Sequence, residues 1–198
     1  MKNFLSPEEV DVFLQNVRTQ EWRRRKGSPA AYSDPDIVAG RVGLEEKIYL
    51  IEKIASYEYG TNAQRYDDTG LFNKWSPGDK LEAHFSSGIS FETGTADVEM
   101  FVASDIVKPP PAIMYSSTIY LNDDYEGGET RFPKQNYKTK PEPGTLIMFP
   151  ATCMYPHEVK EVTSGVRYTY SLFLSDASIA DVFLQMLSLV RSLTQNNK

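Results

Sequence analysis

Apolar residues recur with helical spacing in two segments of the N-terminal third of the chain. In the first segment the apolar stripe consists of Val10, Phe13, Leu14 and Val17. A helix start signal precedes it, because Ser6 can cap the helix, Pro7 occupies its first position and Glu9 completes a capping box. In the second segment, about 44–57, the recurring residues are Ile48, Ile51 and Ile54. We expect helices between about 6 and 57 that pack against a sheet.

From about residue 75 the pattern changes to short runs rich in Val, Ile, Tyr, Phe and Thr, separated by Pro-Gly, Gly-Gly and Pro-Pro-Pro. Such runs, bounded by turn residues, predict antiparallel strands. The expected strands are Leu81–Phe85, Val98–Ala103, Ala112–Leu121, Thr145–Phe149, Glu158–Val162 and Val166–Leu174. Gly127 and Gly128 are expected to form a hairpin that needs positive φ. A last apolar stripe predicts a helix over about 178–193, which packs on its own domain or forms a homodimer contact.

The last expected strand has two different faces. Val166, Tyr168, Tyr170, Leu172 and Leu174 share the apolar face, and Arg167, Thr169 and Ser171 share the polar one. An apolar outer face and a polar inner face suit a barrel that holds a polar ligand. Helices followed by many short strands predict a mostly β (α+β) fold with a double-stranded β-helix (jelly-roll, cupin-like) core over about 75–175. The chain, 1–198, is expected to form a single domain.

The composition argues against several functional classes. A formal charge of −6 does not suit a nucleic-acid partner, and we interpret the one basic run, Arg23–Lys26, as a solvated loop. No apolar run reaches the roughly 18 residues of a membrane helix, and Met1–Pro7 has no signal-peptide core. The one cysteine, Cys153, suits a reducing compartment. We expect a cytoplasmic protein without a nucleic-acid or membrane partner.

Two histidines, His84 and His157, lie in or beside expected strands. A lone histidine is more often a core or surface residue than a metal ligand, so neither predicts a metal site by itself. Distinctive residue patterns surround them in a fixed order: Phe4–Glu9, Trp75–Phe85, Ile119–Pro133 and Pro143–Pro150, then His157 and, ten residues later, Arg167. Together these segments resemble the prolyl 4-hydroxylase branch of the Fe(II)/2-oxoglutarate-dependent oxygenases. Their agreement in order and spacing carries the resemblance.

The resemblance implies an enzyme that uses Fe(II), 2-oxoglutarate and O2 to oxidise an unactivated C–H bond. In this family a His-x-Asp pair and a distal His hold the iron, which implies His84 and His157 as metal ligands here. Arg167 matches the basic residue that pairs with the far carboxylate of 2-oxoglutarate, and Thr169 is placed to add a hydroxyl. The substrate stays open between a small molecule and a peptide.

Two positions depart from the family pattern. Leu81 stands where many relatives carry a tyrosine that binds 2-oxoglutarate, and Ser86 stands where the family has its metal-binding carboxylate. A neutral hydroxyl is a poor ligand for Fe(II), so Ser86 is the residue on which the reaction depends.

Three interpretations of Ser86 follow. In the first, chloride or bromide takes the vacant position on iron, as in the related halogenases, and the enzyme halogenates its substrate. In the second, water or a nearby carboxylate such as Glu92 completes the iron site, and the enzyme hydroxylates in the manner of prolyl 4-hydroxylases. In the third, the domain is a non-catalytic module that binds a ligand or a partner.

Overall fold

The computed structural model describes residues 1–24, 30–33, 44–65, 70–86 and 113–176. Two helices lie in these ranges, α1 (Pro7–Arg18) and α2 (Leu44–Tyr59). The strands of the same ranges are β1 (Ala31–Ser33), β2 (Ala63–Arg65), β3 (Leu71–Trp75), β4 (Leu81–His84), β5 (Ile113–Tyr120), β6 (Tyr125–Gly127), β7 (Thr130–Phe132), β8 (Tyr137–Thr139), β9 (Leu146–Pro150), β10 (His157–Val159), β11 (Val162–Gly165) and β12 (Arg167–Asp176). The expected strand Val98–Ala103, the expected C-terminal helix and Glu92 lie outside the described residues.

The strands form a major sheet, a minor sheet and a short two-stranded ladder. The major sheet has the order β1-β3-β12-β5-β9, with β2 also paired to β12. The minor sheet has the order β4-β10-β7-β8, and β6 pairs with β11. Side chains of the major and minor sheets line one cavity, so the two sheets lie face to face. This is the predicted double-stranded β-helix, built within the described residues from antiparallel pairs.

Both helices pack on the outer face of the major sheet. The capping box at the start of α1 is confirmed, since the Ser6 hydroxyl accepts the Glu9 N–H and the Glu9 carboxylate accepts the Ser6 N–H. The apolar faces of α1 and α2 contribute Val10, Phe13, Val17, Leu44, Ile48, Ile51 and Ala55 to one core cluster. Phe72 of β3 lies in the same cluster, and its ring centroid is 6.2 Å from that of Phe13. None of the described helices is long and apolar enough to cross a membrane.

The central strand β12 has the two faces that the sequence predicts. Tyr168, Tyr170, Leu172 and Leu174 join the core beneath the helices. Arg167, Thr169 and Ser171 line the cavity on the opposite face. Because β12 pairs with β3 on one side and β5 on the other, its polar face is held at the centre of the cavity wall.

The expected strand Glu158–Val162 is wrong as a single element. The chain divides there into β10, which pairs with β4 and β7, and β11, which pairs with β6 in a separate ladder. Between them the Lys160 N–H donates to the Glu129 carbonyl, and the Glu161 carbonyl accepts the Gly128 N–H. The hydrogen-bond partners change at this point, which the apolar pattern of a single segment does not encode.

The expected hairpin at Gly127 and Gly128 is also wrong, although both residues have positive φ, +70° and +65°. β6 and β7 do not pair with each other, and the two glycines carry the chain from the β6–β11 ladder to the minor sheet. A Cβ on Gly127 would lie 2.1 Å from the Glu161 carbonyl oxygen. Close approach of two backbones therefore requires glycine here, in addition to the φ value.

Candidate active site

A cavity of about 270 Å³ lies between the major and minor sheets. The five residues predicted for the site, His84, Ser86, His157, Arg167 and Thr169, all line it. His84 and His157 come from the minor sheet, whereas Arg167 and Thr169 come from the central strand of the major sheet. The structure thus brings together residues that are up to 85 positions apart, from 84 to 169, in the chain.

The two histidines face each other across a strand pair. His84 at the end of β4 is the Cα partner of His157 at the start of β10, and their ring centroids are 4.3 Å apart. The register shifts within this pair, because Leu81, and not Glu82, is the Cα partner of Val159. The one extra residue in β4 is a β-bulge, and it lets Leu81 and His84, three positions apart, both face the cavity.

Backbone hydrogen bonds fix the same tautomer in both imidazoles. His84 Nδ1 lies 3.0 Å from the Glu82 carbonyl oxygen, and His157 Nδ1 lies 3.2 Å from the Tyr155 carbonyl oxygen. A carbonyl oxygen only accepts, so each Nδ1 carries the proton and each neutral ring keeps its lone pair on Nε2. A histidine that ligates a metal through one ring nitrogen usually donates the N–H of its other ring nitrogen to a partner such as a backbone carbonyl.

Burial keeps both histidines neutral. Burial lowers the pKa of His84, and it lowers the pKa of His157 to about 4 together with the nearby His84. His157 also packs against two aromatic rings, with centroid distances of 4.6 Å to Phe149 and 6.0 Å to Phe132. At neutral pH the pair therefore presents uncharged nitrogen donors in a fixed orientation, as a metal ligand requires.

The third metal ligand of the family pattern is missing from the described residues. The Ser86 hydroxyl lies 3.5 Å from Nε2 of His157, so it stands beside the nitrogen that would hold a metal. Across the described ranges, no group of three His, Cys, Asp or Glu side chains converges as a complete metal site would. The two imidazoles fit Fe(II), and Ser86 adds space and a neutral oxygen where a carboxylate would add charge.

At the other end of the cavity, the guanidinium of Arg167 is almost completely buried, with 2% of the residue exposed. Its Cζ atom lies 5.1 Å from the ring centroids of both Trp75 and Tyr120, so aromatic rings flank the cation. Its Nη2 donates to the Thr130 hydroxyl at 3.3 Å, and that hydroxyl is 2.5 Å from the Tyr120 hydroxyl. These contacts hold the guanidinium in place without neutralising its charge.

Two donors of Arg167 have no partner within the described part of the chain. Its Nε and Nη1 atoms are buried and make no hydrogen bond there, and the same is true of the indole Nε1 of Trp75. Buried polar groups are normally satisfied, and a buried cation normally faces an anion. An unmatched N–H group of Arg167 fits the distal carboxylate of 2-oxoglutarate, which would accept its hydrogen bond and supply the missing negative charge.

Four residues near Arg167 were missed by the sequence analysis as members of the site. Trp75 and Tyr120 lie on the strands that flank β12, Tyr125 begins β6, and Thr130 lies on β7 of the opposite sheet. Burial raises the pKa of Tyr125, and the nearby guanidinium offsets part of that rise, so the phenol stays neutral. All four belong to the segments that carry the resemblance, which is the signal that could have found them. Their proximity to Arg167 depends on strand register, so spacing in the sequence does not reveal it.

Comparisons with known proteins agree with this geometry. A sequence model of the 2OG-Fe(II) oxygenase superfamily matches residues 71–175. Prolyl 3-hydroxylase 2 of Homo sapiens is 40% identical over 81 residues, which cover 37% of this chain and 11% of that protein. A PKHD-type hydroxylase of Gluconobacter oxydans (strain 621H) is 26% identical over 202 residues, covering 90% of this chain and 78% of the relative. The chain thus spans about a tenth of the length of the prolyl 3-hydroxylases that it matches.

Solved structures show the same fold. The viral collagen prolyl hydroxylase from Paramecium Bursaria Chlorella virus-1, in its 2OG complex, superimposes with a TM-score of 0.61 at 18% identity, covering 89% of this chain and 93% of that chain. A Pseudomonas putida prolyl-4-hydroxylase gives a TM-score of 0.59 at 16% identity, covering 89% and 90%. The family match extends over more than half of the 198 residues and includes both histidines and Arg167. The chain therefore belongs to the 2OG-Fe(II) oxygenase superfamily.

Proposed function

We propose that this chain is an Fe(II)- and 2-oxoglutarate-dependent enzyme that oxidises an unactivated C–H bond of a small molecule or peptide and converts 2-oxoglutarate to succinate and CO2. The observation that carries the proposal is the buried Arg167, which shares one cavity with the His84–His157 pair and has donors without a partner among the residues that the structure describes. A buried cation without a counter-ion is costly to the fold. Its presence is explained when the cavity binds an anion that reaches from Arg167 towards the histidines.

Each residue of the cavity has a distinct part in this proposal. His84 and His157 would hold iron through Nε2, because their Nδ1 protons are engaged with backbone carbonyls. Arg167 would bind the far carboxylate of 2-oxoglutarate, and Thr130 would keep the guanidinium oriented. Thr169, which is 1% exposed on the cavity wall, is the proposed additional hydroxyl for the co-substrate.

Iron(II) with 2-oxoglutarate and O2 supplies the oxidising power for C–H cleavage when it is bound. The chain itself supplies position and a dry environment. Phe132 and Phe149 pack around His157 and restrict water on that side of the pair. The hydroxylase names of the relatives support hydroxylation as the outcome, with water or a further carboxylate completing the metal site.

Halogenation is a second candidate outcome, and the position of Ser86 favours it. The Ser86 hydroxyl is 3.5 Å from His157 Nε2, and within the described ranges no carboxylate joins the two histidines. In this version chloride or bromide would occupy the position that a carboxylate takes in other members of the family. A neutral, small side chain leaves room for such an anion and does not repel it.

The test is 2-oxoglutarate turnover by the full chain with Fe(II), measured as succinate, with and without chloride or bromide. Succinate formation supports an enzyme, and the mass of the oxidised product separates hydroxylation from halogenation. If the protein binds Fe(II) and 2-oxoglutarate but forms no succinate with any substrate tested, the result supports the interpretation as a non-catalytic module. Failure to bind 2-oxoglutarate at all would refute the proposal.

A further inference from the structure

A buried carboxylate, Asp79, lies in the loop between β3 and β4, four residues after Trp75 of the cavity wall. Asp79 is 9% exposed, and Arg24 donates to both of its oxygens at 2.7 and 2.6 Å. The Ser76 N–H donates to the same carboxylate at 2.7 Å. Burial raises the pKa of Asp79, but the hydrogen bonds from Arg24 and Ser76 outweigh it and hold the pKa below its ordinary value. The carboxylate is therefore charged at neutral pH, and Arg24 does not belong to a merely solvated loop.

This ion pair lies in a turn that is closed by backbone hydrogen bonds. The Asp79 N–H donates to the Ser76 carbonyl at 2.9 Å, which closes the turn Ser76–Asp79. The Val162 N–H donates to the Asp79 carbonyl at 3.0 Å, and the Gly78 N–H donates to the Val162 carbonyl at 2.8 Å. The turn is thus held to β11 by backbone bonds and to the segment after α1 by Arg24.

The turn also begins directly after a residue of the anion site. Trp75 precedes Ser76, and its ring lies 5.1 Å from Cζ of Arg167. Trp75 packs in a small buried cluster with Ala30, Val159 and Val162. A displacement of the turn would therefore move the indole against the guanidinium, whose orientation decides how it meets a carboxylate.

We propose that Arg24 and Asp79 are positioning residues of the 2-oxoglutarate site. Their ion pair fixes the turn Ser76–Asp79, and the turn fixes Trp75 against Arg167. The inference rests on the proposed function, because it requires the cavity to bind 2-oxoglutarate. It assigns a role in co-substrate affinity to a pair that touches neither co-substrate nor metal ligand.

The test compares Asp79→Asn and Arg24→Ala with the wild-type full chain, using 2-oxoglutarate itself as the probe in the presence of Mn(II) without oxygen. We expect the Kd for 2-oxoglutarate to rise about tenfold, which is less than the roughly hundredfold loss that a 1 Å misplacement can cause in a reacting site. The Kd for Mn(II) should stay within about twofold, because the pairing of β4 with β10 joins His84 to His157 and includes neither Arg24 nor Asp79. The double variant should lose no more affinity for 2-oxoglutarate than either single variant, since both changes break the same ion pair.

Two controls separate positioning from general destabilisation. Arg65→Ala removes an arginine that is 40% exposed, close to the 44% of Arg24, from its pair with the half-exposed Glu45 at 2.9 Å. This pair lies outside the cavity, so the variant should leave the Kd for 2-oxoglutarate unchanged. In a Trp22→Phe background Trp75 is the only tryptophan of the chain, so its fluorescence reports on the turn directly. Asp79→Asn should shift that emission, and Arg24→Lys should partly restore both emission and affinity relative to Arg24→Ala.

The outcomes are distinguishable. If the wild type does not bind 2-oxoglutarate, the proposed function falls and this inference falls with it. If the wild type binds and folded Asp79→Asn binds within twofold, with unchanged Trp75 emission, only the positioning role is overturned. An equal loss of Mn(II) and 2-oxoglutarate affinity would also overturn it, because that result indicates a general structural effect.

Discussion

Replacement of Arg167 by leucine should separate ligand binding from folding. Within the described part of the chain, the wild-type guanidinium has two buried donors without a hydrogen-bond partner, Nε and Nη1. Truncation of one partner of a buried, hydrogen-bonded charge pair costs about 2–5 kcal/mol, part of it because the other charge is left unpaired. At about 1.4 kcal/mol for each factor of ten, Arg167→Leu should raise the Kd for 2-oxoglutarate roughly 30- to 4000-fold.

The ligand-free protein should respond very differently. Burial of an unpaired cation costs several kcal/mol, and Leu removes that cost. It also removes two aromatic contacts, at about 1–2 kcal/mol each, and the hydrogen bond to Thr130, at about 1 kcal/mol. These effects nearly cancel, so the free energy of unfolding should change by less than about 2 kcal/mol, which corresponds to a Tm shift within about 8 °C.

Titration calorimetry without oxygen, with Mn(II) in place of Fe(II), measures the affinity, and thermal unfolding with and without 2-oxoglutarate measures the stability. Arg131→Leu is a matched control, because Arg131 pairs with Glu158 at 2.8 Å outside the cavity and its loss changes the net charge equally. A folded Arg167→Leu variant with unchanged affinity for 2-oxoglutarate would show that the anion binds elsewhere.

Three further changes test the metal end and the fold. Ala in place of His84 or His157 removes one of two imidazole ligands, and either variant should lose Fe(II) binding at low micromolar metal in an anaerobic titration; full occupancy would place the metal elsewhere. Ser86→Asp adds a carboxylate beside the imidazoles, so metal affinity should rise and any halide dependence of succinate formation should disappear; persistent halide dependence would contradict a halide at that position. Gly127→Ala places a Cβ 2.1 Å from the Glu161 carbonyl oxygen at φ +70°, so Tm should fall by about 6 °C or more, and an unchanged melting curve would refute the close contact.

The local sequence pattern was sufficient to predict much of the fold. The capping box at Ser6 and Glu9 needs only four neighbouring residues, and α1 begins where the sequence predicts. The alternation along β12 likewise assigned its core and cavity faces, since successive side chains of a strand point in opposite directions. Other expected strands of the described ranges also match to within two residues, except Glu158–Val162. Short strands such as β2 and β6, with three residues each, carry too little pattern to be predicted.

The candidate site was also predictable only in part from the sequence. The motifs supplied His84, His157 and Arg167, and their presence in one cavity agrees with that prediction, although their roles stay predictions. The sequence could not show that the guanidinium lacks a counter-ion among the described residues, because the absence of a partner depends on every element packed around it. Ser86 at 3.5 Å from His157 is likewise a product of the turn after β4.

What the sequence alone determined is local: helix starts, strand faces and the residue types that can do the chemistry. What only the tertiary structure decided is register and long-range pairing. The bulge in β4 turns His84 and Leu81 to one side, and the pair between Arg24 and Asp79 joins positions 55 residues apart. Such contacts form because packing brings distant segments together, and their energy depends on distance in space, which spacing along the chain does not encode.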